Sequence, residues 1–188
     1  MTGPVAELAR LRHRPRVVQI LAVVDEAPHV KSLSFGDKLS AAAKPGQFGM
    51  IWAPGTDETP MSLLPSGNGD GVTITVKERG EGTRALLGKR RGELIGIRGP
   101  YGKGFTYDGE RSILMIGGGT GVVPLLSLLR SLAPRGVECN FILGANTSHE
   151  LLFSTEIQGL CTQTGGSFRV TTDDGSAGTR GLATDEAA

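Results

Sequence analysis

The residues with the clearest chemical potential run Ile113-Leu114-Met115-Ile116-Gly117-Gly118-Gly119-Thr120-Gly121-Val122-Val123-Pro124. An uninterrupted apolar run reads as a strand buried on both faces of a parallel sheet. It leads into a loop nearly free of side-chain bulk and then into a helix. Backbone N–H groups at such a helix start, with the partial positive charge there, suit a pyrophosphate. The spacing departs from G-x-G-x-x-G, because Pro124 stands where the third glycine would fall. In the first helical turn its missing N–H costs nothing. An ordinary glycine-rich turn would look similar, and the flanking strand and helix are what favour a nucleotide loop.

A second loop, Gly80-Glu81-Gly82-Thr83, offers backbone N–H groups and a hydroxyl to a diphosphate at the start of a short helix. Thr83 could equally cap its own helix, and both roles can hold at once. Lys77 and Arg79 add positive charge nearby, although a solvated strand end accounts for them almost as well. The segment Thr171-Thr172-Asp173-Asp174-Gly175-Ser176-Ala177-Gly178-Thr179-Arg180-Gly181-Leu182-Ala183-Thr184-Asp185 reads as a strand end followed by an Asp-Gly turn. Elsewhere chemistry is sparse. His13, His29 and His149 are scattered with no Ser, Asp or Glu at a telling spacing, so neither a triad nor a metal site has a starting point.

These loops need elements to hold them. Val17 to Val24, Val30 to Phe35, Phe48 to Trp52 and Val72 to Val76 are short β-rich runs split by Pro, Gly and Asp. A helix is expected at Thr83 to Leu87 and a further strand at Glu93 to Ile97. Such spacing predicts an antiparallel barrel or sandwich. After residues 107–111 the pattern becomes strand, loop, helix: strands at Ser112 to Ile116, Glu138 to Leu143 and Phe168 to Thr172, helices at Pro124 to Leu132 and Leu151 to Leu160. We therefore expect residues 1–108 to form a β-barrel or sandwich, with 1–15 as a basic arm, and residues 109–188 to form an α/β unit.

Composition narrows the class. The 188 residues are 38% hydrophobic with a net charge of +1, and the surplus sits in the first sixteen, where Arg10, Arg12, Arg14 and Arg16 face only Glu7. Nucleic-acid binding has little support from this balance. No apolar run nears the ~20 residues of a bilayer span, and the start lacks a secretory pattern, so a cytoplasmic address is expected. Cys139 and Cys161 form no CxxC, which encodes neither a disulfide framework nor a zinc site. The 29 glycines, roughly twice the usual ~7% share, cluster at the loops above.

The Gly-Gly-Thr-Gly-Val-x-Pro loop resembles that of the ferredoxin–NADP reductase superfamily. The first half matches in order through Pro45-Gly46-Gln47-Phe48, Pro60-Met61-Ser62-Leu63, Lys77-Glu78-Arg79-Gly80-Glu81-Gly82-Thr83 and Gly99-Pro100-Tyr101-Gly102-Lys103-Gly104-Phe105. Thr-Asp-Asp-Gly-Ser-x-Gly-x-x-Gly-x-x-Thr-Asp is similar to the electron-transfer subunits of dihydroorotate dehydrogenase and of related enzymes. The resemblance spans about Arg16 to Asp185.

The resemblance implies an FAD-binding barrel followed by a partial Rossmann-like NAD-binding domain that exchanges a hydride with the flavin. The partner would be a catalytic dehydrogenase subunit of pyrimidine biosynthesis. It implies that Ser62 orients the flavin N5, and that Thr59, Pro60, Met61, Thr75, Val76 and Lys77 line the flavin. Gly80, Gly82 and Thr83 would hold its diphosphate, and Gly118, Gly119, Thr120, Gly121, Pro124 and Asp174 the nucleotide. A flavin relay or adaptor without turnover of its own, and a stand-alone flavin or ferredoxin reductase, are the alternatives.

Two departures stand out. The superfamily's Arg before the serine is replaced by Thr59 and Pro60. The [2Fe–2S] cysteines and the Cys-Gly-Pro segment expected of the full-length family are absent, so the chain reads as cut short at its C-terminus. Its parallel sheet would then leave Ile113 to Ile116 as a bare edge, with no fourth strand. FAD is expected over FMN because Gly82 and Thr83 suit a diphosphate. NADH is expected over NADPH because Gly144-Ala145-Asn146-Thr147 offers no cation for a 2′-phosphate.

Overall fold

The computed structural model describes residues 11–67, 69–107 and 109–187. It divides into one unit that includes His29–Gly104 and a second that comprises Glu26–Pro28 and the chain from Phe105 onward. Of the expected basic arm, residues 1–10 lie outside the described residues.

The first unit is an antiparallel sheet of seven strands: β1 (Arg16–Ala27), β2 (Val30–Gly36), β3 (Phe48–Trp52), β4 (Thr59–Ser62), β5 (Leu64–Pro65), β6 (Gly71–Lys77) and β7 (Leu94–Tyr101). Their order is β4-β3-β7-β1-β2-β6-β5, and β4 packs near β6 so that the sheet curls into a barrel. Period-two patterning explains the curl. Val18 and Ile20 of β1, Val72, Ile74 and Val76 of β6, and Ile95 and Ile97 of β7 all point into one core, which Leu33, Phe35 and Ile51 complete. Each such side chain contributes about 1.5–3 kcal/mol by leaving water.

Two short helices lie among these strands, α1 (Lys38–Ala41) and α2 (Glu81–Leu87). Asp37 caps α1 by accepting the Ser40 N–H at 2.9 Å, and it also pairs with Arg16 at 2.8 Å. Burial raises the Asp37 pKa, but the Arg16 and Ser40 hydrogen bonds more than offset this and leave it below its usual value. Arg16 also donates to the Gly99 carbonyl at 3.0 Å, so the chain's entry into β1 is tied to β7.

On the outside of the barrel Trp52 lies across Gly96. A Cβ built at Gly96 would fall 1.9 Å from the indole, so only glycine fits beneath the ring.

The second unit is a four-stranded parallel sheet: β8 (Ser112–Gly118), β9 (Glu138–Ala145), β10 (Phe168–Thr172) and β11 (Thr179–Arg180), in the order β11-β10-β9-β8. Helices α3 (Val122–Leu132) and α4 (Ser154–Gln163) pack against β8 to β10 and against each other, and Arg130 joins Glu156 at 2.6 Å between them. α3 buries Val122, Val123, Leu126 and Leu129.

Two expectations need correction here. A fourth strand does form: β11 pairs with β10 through Thr171–Thr179 and Thr172–Arg180. Ile113 to Ile116 does form the expected edge, since β8 pairs only with β9 among the described residues, but the run is not buried on both faces. Met115 is buried toward the helices, while Leu114 on the opposite face is 51% exposed.

Candidate cofactor sites

In the barrel, the two segments singled out by sequence meet. A Cβ on Gly82, in the first turn of α2, would lie 3.1 Å from Thr59 Oγ1 and 3.3 Å from the Asp57 carbonyl oxygen, so the helix start sits directly against the entry to β4. β4 carries Thr59, Pro60, Met61 and Ser62 in antiparallel register with β3, pairing Ser62 with Phe48 and Pro60 with Met50. Met61 turns into the core, Pro60 is exposed, and Thr59 and Ser62 are half-buried. Pro60 is tolerated because β4 is the sheet's terminal strand, where a missing N–H breaks no ladder.

The β6 residues are arranged less simply. Val76 is fully buried in the core. Thr75 is 5% exposed and its hydroxyl meets Ser32 at 3.0 Å, so it faces an interior hydrogen bond. Lys77 is half-buried. The two cations near the α2 end differ in role: Arg84 pairs with Glu78 at 2.9 Å, and Arg79 is exposed. The position of the superfamily's phosphate arginine is flanked instead by Glu58, which Arg98 of β7 holds in an ion pair.

Thr83 requires a correction. Its side chain is not offered outward: the residue is 5% exposed, and its hydroxyl accepts the N–H of Arg79 at 2.8 Å and of Gly80 at 3.0 Å while donating to the Gly80 carbonyl at 2.9 Å. The reason is local. At the third helical position a threonine reaches back to the orphan N–H groups before the helix, leaving those of the first turn itself as the donors that can face an anion.

In the α/β unit the glycine loop lies at the C-terminal end of β8, the end at which open parallel sheets bind ligands. Its glycines have separate reasons. A Cβ on Gly117 would meet Leu125 at 2.7 Å, so this residue lets α3 pack close, and one on Gly118 would meet the Gly144 carbonyl oxygen at 2.6 Å. Gly119 has φ +52, which suits glycine, and neither it nor Gly121 would bring a Cβ within 4 Å of anything. A single 3₁₀ turn, Gly119–Gly121, precedes α3, and Pro124 sits within the first turn of that helix. The result is open backbone at Gly119 and Gly121 above a strand end, Gly117 and Gly118, too closely packed for side chains, which fits a pyrophosphate.

The loops that follow β9 and β10 are stitched together at the same end. The N–H of Asp173 bonds the Ala145 carbonyl at 3.1 Å, that of Asp174 bonds Asn146 at 3.2 Å, and the Ser148 N–H donates to Ser176 Oγ at 2.7 Å. Asp174 is exposed, and its carboxylate accepts from the Ser176 hydroxyl at 2.6 Å and N–H at 2.9 Å, which holds its pKa below the usual value. Asp174 therefore shapes the loop first. Asn146 donates its amide to Glu150 at 3.1 Å. Sequence reasoning missed Glu150, whose link to Asn146 depends on the 3₁₀ turn Ser148–Glu150.

Other features bear on chemistry. Cys139 and Cys161 are both fully buried in the α/β unit, and burial pushes the Cys161 thiol up to about 11. Two interior thiols do not fit a [2Fe–2S] centre, which needs four ligands. Among the described residues no three His, Cys, Asp or Glu side chains gather as a metal site, and no helix is long and apolar enough to cross a membrane.

The family model of the oxidoreductase NAD-binding domain matches residues 115–186. A protein of Methanothermobacter thermautotrophicus, "Probable dihydroorotate dehydrogenase B (NAD(+)), electron transfer subunit", is 38% identical over 170 residues, covering 90% of this chain and 62% of that protein. A protein of the same name from Thermococcus kodakarensis is 36% identical over 170 residues, covering 90% of this chain and 67% of the relative. The solved structure of an NADH-dependent reduced ferredoxin–NADP oxidoreductase superposes with a TM-score of 0.80 at 27% identity, covering 91% of this chain and 62% of that one. The chain thus spans a little over 60% of the length of these proteins.

Proposed function

We propose a function from family membership: this chain belongs to the ferredoxin–NADP reductase superfamily, among the electron transfer subunits of the dihydroorotate dehydrogenase B type. It binds FAD in the barrel and NAD(H) in the α/β unit, moving electrons between them. It does so as the partner of a catalytic subunit that oxidises dihydroorotate in pyrimidine biosynthesis. The observation that carries this reading is the open glycine turn after β8, lying within the segment that matches an NAD-binding domain.

The protein's own residues bind and position. Gly118 to Gly121 present N–H groups to the nucleotide pyrophosphate, with Pro124 fixing the first turn of α3. Gly82 and the first turn of α2 present theirs to the FAD diphosphate, while Gly80 and Thr83 hold that turn in shape. Thr59, Pro60, Met61 and Ser62 flank the flavin ring, with Ser62 as the polar group toward its N5, and Thr75, Val76 and Lys77 form the adjoining strand. Bound FAD supplies two-electron chemistry with nicotinamide and one-electron chemistry with other carriers. No general acid or base is required of the protein, because orientation of the reacting groups supplies most of the catalysis.

NADH is the nucleotide of this reading. Residues 145–150 carry no Lys or Arg, and the Glu150 carboxylate beside Asn146 opposes a 2′-phosphate. The test is anaerobic titration of the purified protein. We expect about one FAD per chain, bleached by NADH at lower concentration than by NADPH. Dihydroorotate-dependent reduction of NAD should appear when the catalytic subunit is added. Stoichiometric FMN, or equal reduction by NADPH, overturns the assignment.

A further inference from the structure

We infer that the outward face of β1, β3 and β7 docks a different protein chain whose contact surface has an apolar centre and an acidic rim. Resting on the function proposed above, that chain is the catalytic subunit.

The outward face of a barrel is normally polar, and isolated exposed apolar residues need no explanation. Here they are contiguous. Val17 is 67% exposed, Leu21 54% and Leu94 48%. The register lines up Val17, Gly96 and Trp52 across three strands, and sets Gln19 beside Leu94 in the next row. Because Gly96 has no side chain, the Trp52 ring fills its place and extends the apolar surface between the strands. These side chains are not needed by the core, which the alternate residues Val18, Ile20, Ile51, Ile95 and Ile97 fill. Gln19 stands between Val17 and Leu21 on this face and beside Leu94, and its amide is satisfied by the Gly92 carbonyl at 3.0 Å. An anchored tryptophan amid exposed aliphatic residues is the composition of an interface centre.

Charge selects the occupant. Arg12 and Arg14 lie at the entry to β1, where the Arg12 carbonyl accepts the Gly99 N–H. Arg90 and Arg91 lie at the other end, in the turn whose Gly92 N–H bonds the Ile20 carbonyl. Arg16, Lys89 and Arg98 are paired with Asp37, Glu93 and Glu58, and Lys31 with Asp25. Among the described residues the rim arginines Arg12, Arg14, Arg90 and Arg91 take part in no ion pair, although the Glu93 carboxylate, paired with Lys89, also accepts the Arg90 backbone N–H at 2.7 Å. A two-fold contact between copies of this chain would set this rim against itself, which like-charge repulsion disfavours. A separate chain bearing carboxylates around an apolar centre satisfies both features.

The test uses the full-length protein and the dihydroorotate dehydrogenase catalytic subunit of the same organism, with affinity and association rate measured across salt concentrations. Two variants are needed, Val17→Asp with Leu94→Asp, and Arg90→Glu with Arg91→Glu, each checked for unchanged FAD content and NADH-dependent flavin bleaching. We expect the first to weaken the complex by at least about tenfold. The second should slow association several-fold at low salt, with the difference fading near ~0.5 M salt. Binding by both variants as tight and as fast as by the unaltered protein overturns the docking surface alone. A change in self-association instead of partner binding identifies a second copy as the occupant and overturns it as well. No binding by the unaltered protein removes the catalytic subunit from the proposed function, and the docking inference with it.

Discussion

The two glycine loops face the same problem, the orphan N–H groups around a helix start, and handle it in opposite ways. In the barrel, Thr83 reaches back and satisfies the N–H groups of Arg79 and Gly80, so the approach to α2 is locked before any ligand arrives. In the α/β unit, Gly118 to Gly121 carry only the Thr120 side chain, and the loop is held by close backbone packing on β9. The difference teaches that the flavin loop owes its shape to a side chain, with open space at Gly80 but a close approach at Gly82. The nucleotide loop owes its shape to missing side chains, and at Gly117 and Gly118 it tolerates none.

The strongest way to break this contrast is Gly118→Val. Its Cβ has no room beside the Gly144 carbonyl, so NADH binding should fall by at least about a hundredfold while FAD stays in the barrel. NADH titration with a parallel flavin assay checks both halves, and loss of FAD with NADH would refute the independence of the two loops. Next in size is Thr83→Val. It leaves two partly buried N–H groups unpaired, at about 2–4 kcal/mol of barrel stability, and should release FAD. Thr83→Ser keeps the hydroxyl and should restore most of both, as read by denaturant midpoints and flavin retention.

The units should also differ in acid. The folded Asp37 pKa is depressed, so its stabilising contribution is complete above the ordinary carboxylate range and is lost as pH falls through the folded value. Arg16→Ala should therefore lower barrel stability by about 1–3 kcal/mol at pH 7 and by progressively less toward pH 3. Urea midpoints over that range follow it. The Arg130–Glu156 pair is more exposed and should matter less. The smallest effect is on nucleotide choice. Asn146→Arg supplies a cation and detaches Glu150, and should raise the NADPH to NADH ratio of kcat/KM by roughly threefold to tenfold.

How much of this was legible in the sequence depended on the range of the interactions. Phe48–Trp52 and Phe168–Thr172 coincide with the expected runs, because their alternation or their β-branched content is a local signal. β4 was invisible because Pro60 reads as a strand breaker, and only its terminal place in the sheet makes it harmless. β11 has two residues and rests on the Asp173 to Gly178 loop, so it carries no pattern of its own. The glycine loop after β8 was legible as a ligand site, since its chemistry is absence of bulk. The direction of the Thr83 hydroxyl was not, because donor and acceptor lie within one turn and either role fits the same letters. The meeting of Gly82 with Thr59 depends on a contact between residues 23 positions apart, which no local pattern encodes.

The seat of Trp52 on Gly96 has a consequence for how this family can change over time. The indole occupies the volume a side chain at 96 would need, so position 96 cannot gain a side chain while the tryptophan stands at 52. Any larger residue at 96 must arrive together with a smaller one at 52, and a lineage that loses the tryptophan is released to replace the glycine. The two positions, on neighbouring strands and 44 residues apart in sequence, should therefore co-vary among relatives as a single large-and-small pair.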